Sequence, residues 1–140
     1  MVGRAKPPTK AEKVRMTFLK EHMPCLPCLL AVNMPRMPSV QHLVEGMKRV
    51  GHLHTYSSCE WHHFGYTFGG ASPQRMIGEL GPSLAHGKRT FQSFFGSERI
   101  LVRIQDRFYA SYRANPWMDY DVPDNVRSLA RHEWDKLKGG

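Results

Sequence analysis

The chain has 140 residues, 41% of them hydrophobic, a formal net charge of +8 and a sequence pI near 9.7. This length suits one domain with a modest core, and no apolar run is long enough to span a bilayer. No apolar segment follows the basic start Met1-Val2-Gly3-Arg4-Ala5-Lys6, so no secretory signal and an intracellular protein are expected. The excess of Lys and Arg points to a polyanionic partner, most simply nucleic acid, through affinity and salt dependence rather than sequence specificity.

Residues 1–9 read as a flexible basic arm. Thr9 and Glu12 have capping-box spacing, which starts a helix over residues 10–22 that Pro24 ends. Ala11, Val14, Phe18 and Leu19 share one face of that helix, with Lys10, Lys13, Arg15 and Lys20 mostly elsewhere. Asn33, Pro35 and Pro38 make residues 29–38 irregular. Residues 39–44 read as a short strand, 45–51 as a basic turn bounded by glycine, and the alternating residues 52–56 as a second strand. Residues 59–63 open a helical turn, so a two-stranded ribbon followed by a helix is expected.

Residues 64–73 form a loop rich in glycine and aromatic residues, and residues 73–80 a short helix broken by Gly81-Pro82. The segment 87–95 carries Lys88, Arg89, Phe91, Phe94 and Phe95. Ser97 caps the next helix, whose stripe of Ile100, Leu101, Ile104 and Phe108 runs to about residue 113, before Asn115-Pro116. A last helix follows Asp124 and uses Val126, Leu129, Ala130, Trp134 and Leu137. The aromatic residues read as core rather than as stacking platforms. Met16, Met23, Met34, Met37 and Met47 read as adaptable packing. The expected organisation is an arm (1–9), a zinc-containing domain (10–114) and a C-terminal helical extension (115–140).

All three cysteines fall in two knuckles, Cys25-Leu26-Pro27-Cys28 and Cys59-Glu60-Trp61-His62-His63. Two-residue spacing turns both side chains of a knuckle onto one ion. Cys25, Cys28, Cys59 and His62 therefore form a closed Cys3His zinc set, with His63 as the alternative fourth ligand. An odd cysteine count and this spacing favour metal over disulfides. Four protein ligands leave no open position for water, so the zinc is structural.

Six of the eight histidines lie between His42 and His86. If His42, before the basic turn, and His63, at the helix start, face one cleft, they suit a nuclease. A neutral imidazole at His42 deprotonates a water for in-line attack on phosphorus. His63 holds a divalent ion against the scissile phosphate.

The run Gln41-His42-Leu43-Val44-Glu45-Gly46, then Arg49-Val50-Gly51-His52-Leu53-His54-Thr55 and Cys59-Glu60-Trp61-His62-His63, resembles the Ref family of phage recombination-enhancement nucleases. The stretch Gly81-Pro82-Ser83-Leu84-Ala85-His86-Gly87, with Phe91 and Phe95-Gly96, resembles the segment that follows in that family. The likeness covers about residues 25–96. It implies a RecA-dependent DNA endonuclease of the HNH, or ββα-metal, superfamily. The fold class that follows is α+β: a small ββα-metal core with structural zinc, flanked by an N-terminal helix and C-terminal helices.

By that resemblance His42 is the general base, and His52 or His54 is the central motif residue that orients it. His63, with His86 or Gln41, holds the catalytic ion, which is Mg2+ or Mn2+, with Zn2+ as the alternative; a phosphate contact is the other role open to His86. Lys48, Arg49, Lys88 and Arg89 grip phosphates. The implied partners are DNA and a RecA filament, with no membrane, in the cytoplasm of a bacterial host that carries the phage or prophage. Gln41 departs from the His or Asp usual at its position. The alternative is therefore a catalytically degenerate, zinc-stabilised module that binds DNA or RecA. A third reading places a host-protein contact on the C-terminal helices around Trp117 and Trp134.

Overall fold

A computed structural model of the chain describes residues 9–33, 43–45 and 55–139. Helix α1 (Lys10–Glu21) starts where the sequence predicts. The Thr9 hydroxyl accepts the Glu12 N–H at 3.2 Å, and the Glu12 carboxylate accepts the Thr9 N–H at 2.8 Å. This reciprocal box satisfies backbone donors that lack a partner within the helix. Helix α2 (Leu26–Val32) corrects the expectation of irregular chain from residue 29. Pro27 lies in its first turn, where a missing N–H costs nothing. Asn33 closes the helix in the left-handed conformation at φ 55°.

Strands β1 (Leu43–Glu45) and β2 (Thr55–Ser57) pair antiparallel, with Leu43 opposite Ser57 and Glu45 opposite Thr55. Both run one residue past the predicted strand ends at residues 44 and 56. The arm residues 1–8, the predicted strand residues 39–42 and 52–54, and the turn residues 46–51 lie outside the described residues. Helix α3 (Glu60–Phe64) follows β2, then α4 (Pro73–Leu80), a 3-10 turn (Leu84–His86), α5 (Lys88–Phe95), α6 (Glu98–Ala114) and α7 (Asp124–Gly139). Ser72 and Ser97 cap α4 and α6 by accepting the Arg75 N–H at 3.2 Å and the Ile100 N–H at 3.3 Å. Among the described residues the fold is mostly helical with one two-stranded ribbon. Among the described residues no helix is long and apolar enough to cross a membrane.

One buried cluster joins Phe18 and Leu19 of α1, Leu29 and Leu30 of α2, Phe91 and Phe95 of α5, Ile104 and Phe108 of α6, and Trp134 of α7. A second, smaller cluster gathers Cys25, Cys28 and Cys59 with Trp61, Met76 and Leu80. Trp117 and Trp134 are buried, which corrects their reading as a docking surface. Their indole N–H groups donate to His22 O at 2.9 Å and Phe95 O at 2.7 Å. Leu129 is 70% exposed, because Ala130 and Trp134, one turn apart, set the buried side of α7.

On α1 the prediction also needs correction: Ala11 and Val14 are exposed, and Arg15 is buried with Phe18 and Leu19. Arg15 Nη1 pairs with Asp106 at 2.6 Å, and Arg15 Nη2 donates to Thr55 O at 2.7 Å. Burial pulls the Arg15 pKa down, and the Asp106 carboxylate opposes that shift. At the other end of β2, Gln105 Oε1 accepts the Ser57 N–H at 3.0 Å. Helices α1 and α6 thus hold the strand through one carbonyl and one amide. An Arg15→Met variant removes a donor to a buried carbonyl, and we expect it to cost about 1–3 kcal/mol. The measurement is the urea midpoint; an unchanged midpoint would mean the contact contributes nothing.

Candidate metal centre

Both knuckles are helix starts. Cys25 is the N-cap of α2 and Cys28 lies in its first turn; Cys59 is the N-cap of α3 and His62 lies one turn in. A cap residue and the residue three later share a face, so each helix delivers two donors to one point. All four residues are buried, at 0–2% exposure. His62 Nδ1 lies 3.4 Å from Cys25 Sγ, 3.5 Å from Cys28 Sγ and 3.3 Å from Cys59 Sγ, and Cys28 Sγ lies 3.8 Å from Cys59 Sγ. The four donor atoms all fall within 4.8 Å of one another.

These distances match the edges of a zinc tetrahedron. Zn–S bonds of about 2.3 Å and a Zn–N bond of about 2.0–2.1 Å imply edges of roughly 3.8 Å between sulfurs and 3.6 Å between sulfur and nitrogen. The surroundings fit as well. His62 Nε2–H donates to Leu80 O at 2.7 Å, which fixes the tautomer and leaves the Nδ1 lone pair for a metal. The Cys28 N–H donates to Cys25 Sγ at 3.4 Å. Burial pushes the Cys25 thiol up, so it keeps its proton unless a cation replaces it. Hydrogen bonds with the Cys25 and Cys28 side chains pull the Cys59 thiol well down, and His62 adds to that pull. Cys25, Cys28, Cys59 and His62 are therefore a buried donor set compatible with zinc, and His62 rather than His63 completes it.

The α4 C-terminus clamps this set from outside. Its last carbonyls have no helical acceptor role left: Leu80 O takes the His62 N–H, and Gly81 O takes the Trp61 indole N–H at 2.9 Å. The Ser83 hydroxyl donates to His62 O at 3.3 Å. Sequence reasoning missed Leu80 and Gly81, whose backbone carbonyls carry no residue-type signal. It also missed Gln105, although a glutamine on the apolar stripe of α6 was a readable clue.

His63 sits half-buried on α3, with its ring stacked on Phe64 at 4.1 Å between centroids. His86 is exposed and leans on Trp61 at 5.3 Å. Gly65 caps α3 at φ 77°, and a Cβ there would meet Ala85 Cβ at 3.1 Å and His86 Nε2 at 3.2 Å. Hence His86 is held beside the residue two places after His63. Arg89 is exposed, and Lys88 pairs with Glu98 at 3.2 Å. Gln41, His42, Lys48, Arg49, His52 and His54 lie outside the described residues. A Gly65→Ala variant meets both a left-handed backbone and a crowded neighbour. Its expected cost is about 1–2 kcal/mol from the backbone alone, read as a lower melting temperature with zinc content retained. An unchanged melting temperature would remove this contact from the account.

The fold and the donor set define a small, mostly helical protein with a buried Cys3His donor set compatible with zinc. The family model for recombination enhancement, RecA-dependent nuclease matches residues 8–110, and the chain belongs to that family. The matched span runs from the α1 cap into α6 and contains every candidate site residue. No match to the chain was found among curated proteins or solved structures.

Proposed function

We propose that this chain is a metal-dependent HNH-type endonuclease that hydrolyses DNA phosphodiester bonds with a RecA filament, on a ββα core held by structural zinc. The observation that carries this reading is the order β1–β2–α3, with Cys59 and His62 of the Cys3His set at the start of α3 and His63 directly after His62. Leu43, the neighbour of His42, pairs with Ser57, two residues before Cys59. The strand that follows the proposed base is thus tied to the helix that carries the proposed metal ligand.

In this reading His42 takes a proton from water as the water oxygen attacks phosphorus, and the opposite P–O bond breaks. His52 or His54 orients that imidazole. His63, with His86 or Gln41, holds Mg2+ or Mn2+, which supplies charge stabilisation to the phosphate and the leaving oxygen when bound. Lys48, Arg49, Lys88 and Arg89 contact phosphates. Arg89 has support from its place: it lies in the first turn of α5, whose cap Gly87 makes no side-chain hydrogen bond and whose first turn holds no acid. Lys88 shares its charge with Glu98.

The test is cleavage of plasmid and single-stranded DNA by the zinc-loaded chain, with Mg2+ or Mn2+ added or withheld, and with or without RecA and ATP. Cutting that requires both the added ion and RecA supports the proposal. The neutral Gln41 motivates the second reading, a degenerate DNA- or RecA-binding module. Salt-sensitive DNA retention with no cutting under any condition would establish that reading instead.

A further inference from the structure

Sequence reasoning assigns the aromatic residues to the core, and most of the large ones obey. Around the end of α3 they do not. Phe64 is 37% exposed and Tyr66 is 58% exposed. Their rings stack at 5.3 Å between centroids and 25° between planes, and Phe64 stacks on His63 at 4.1 Å and 20°. The result is a ladder of three nearly parallel rings that starts beside the zinc ligand His62 and ends at the exposed Tyr66. Gly65 makes it possible: its left-handed turn lets the Tyr66 N–H reach back to Glu60 O at 3.3 Å, which places residues 64 and 66 side by side.

We propose that this ladder is a stacking platform for an unpaired nucleobase of the DNA substrate, a proposal that rests on the nuclease reading above. Tyr66, 58% exposed at the end of the ladder, leaves an apolar ring in water, and a base continues the stack by covering it. A paired base inside a duplex offers edges to a protein, whereas an unpaired base offers its face. Charge complementarity agrees. Gly65 lies against the Ala85-His86 turn, and that turn leads directly into the exposed Lys88 and Arg89. A base on Tyr66 therefore places its own backbone next to a cationic segment. The occupant is an unpaired stretch of DNA close to the scissile phosphate, so the platform selects strand-separated over fully paired substrate.

The experiment measures binding by the zinc-loaded, full-length chain without added Mg2+ or Mn2+, so binding is read apart from cutting. The probes are a single-stranded oligonucleotide carrying 2-aminopurine and a blunt duplex of the same sequence. Tyr66→Ala and Phe64→Ala are expected to weaken single-strand binding about 5- to 100-fold and to abolish quenching of 2-aminopurine. Tyr66→Phe keeps the ring and is expected to bind within about twofold of the native chain. Duplex affinity stays unchanged in all three variants. Native single-strand affinity in both alanine variants would overturn the platform, as would an equal loss on duplex and single strand. A chain that binds this way yet cuts nothing overturns the nuclease reading alone. A chain that cuts with an intact Tyr66→Ala affinity overturns the platform alone.

Discussion

Replacing Cys28 with serine is expected to empty the metal centre and collapse the packing around α2 and α3. Cys25, Cys28, Cys59 and His62 meet at tetrahedral distances in a fully buried place. Structural zinc sites of this kind contribute about 10–16 kcal/mol of apparent binding energy. Whole-domain stability is only about 5–15 kcal/mol. We therefore expect metal analysis to give one zinc per native chain and none in Cys28→Ser, with a melting temperature lower by about 15 °C or more. The direction with pH follows from ligand chemistry. Zinc needs deprotonated thiols, so protons compete with it and affinity falls as pH falls. Burial pushes the Cys25 thiol up, which strengthens that competition. If the three cysteines are merely small buried hydrophobes, a chelator leaves the melting temperature unchanged, and the centre has no structural role.

The second large effect concerns catalysis. His42→Ala removes the proposed base, and general-base catalysis contributes about 10²–10⁴-fold. We expect cleavage to fall by that factor while zinc content, DNA affinity and the Mn2+ concentration needed for half-maximal cutting stay the same. His63→Ala behaves differently. It removes a proposed ligand of the catalytic ion, so cutting is expected to return at higher Mn2+. Parallel kinetics across a Mn2+ titration separate the two roles. Identical profiles for the two variants would contradict the division of labour between base and ligand.

Some of this arrangement was legible in the sequence for local physical reasons. Knuckle spacing identifies the donor set because a cap residue and the residue three later share a helical face, and that geometry also resolves His62 against His63. The α1 box and the Ser97 cap were readable because their hydrogen bonds span three residues. Helix α2 was not, since seven nearly uniform apolar residues with a proline carry no period. Arg15 was not either: its burial depends on Asp106 and Thr55, far along the chain. The exposure of Phe64 and Tyr66 follows from the Gly65 turn, which no amphipathic pattern announces.

The most direct measurement reads zinc content and DNA cleavage together, on one preparation of the native chain and one of His42→Ala, with RecA, ATP and Mn2+ present. The account predicts one zinc in each and cutting in the native chain alone. Equal cutting by both, or a native chain that folds and cuts without zinc, would contradict it.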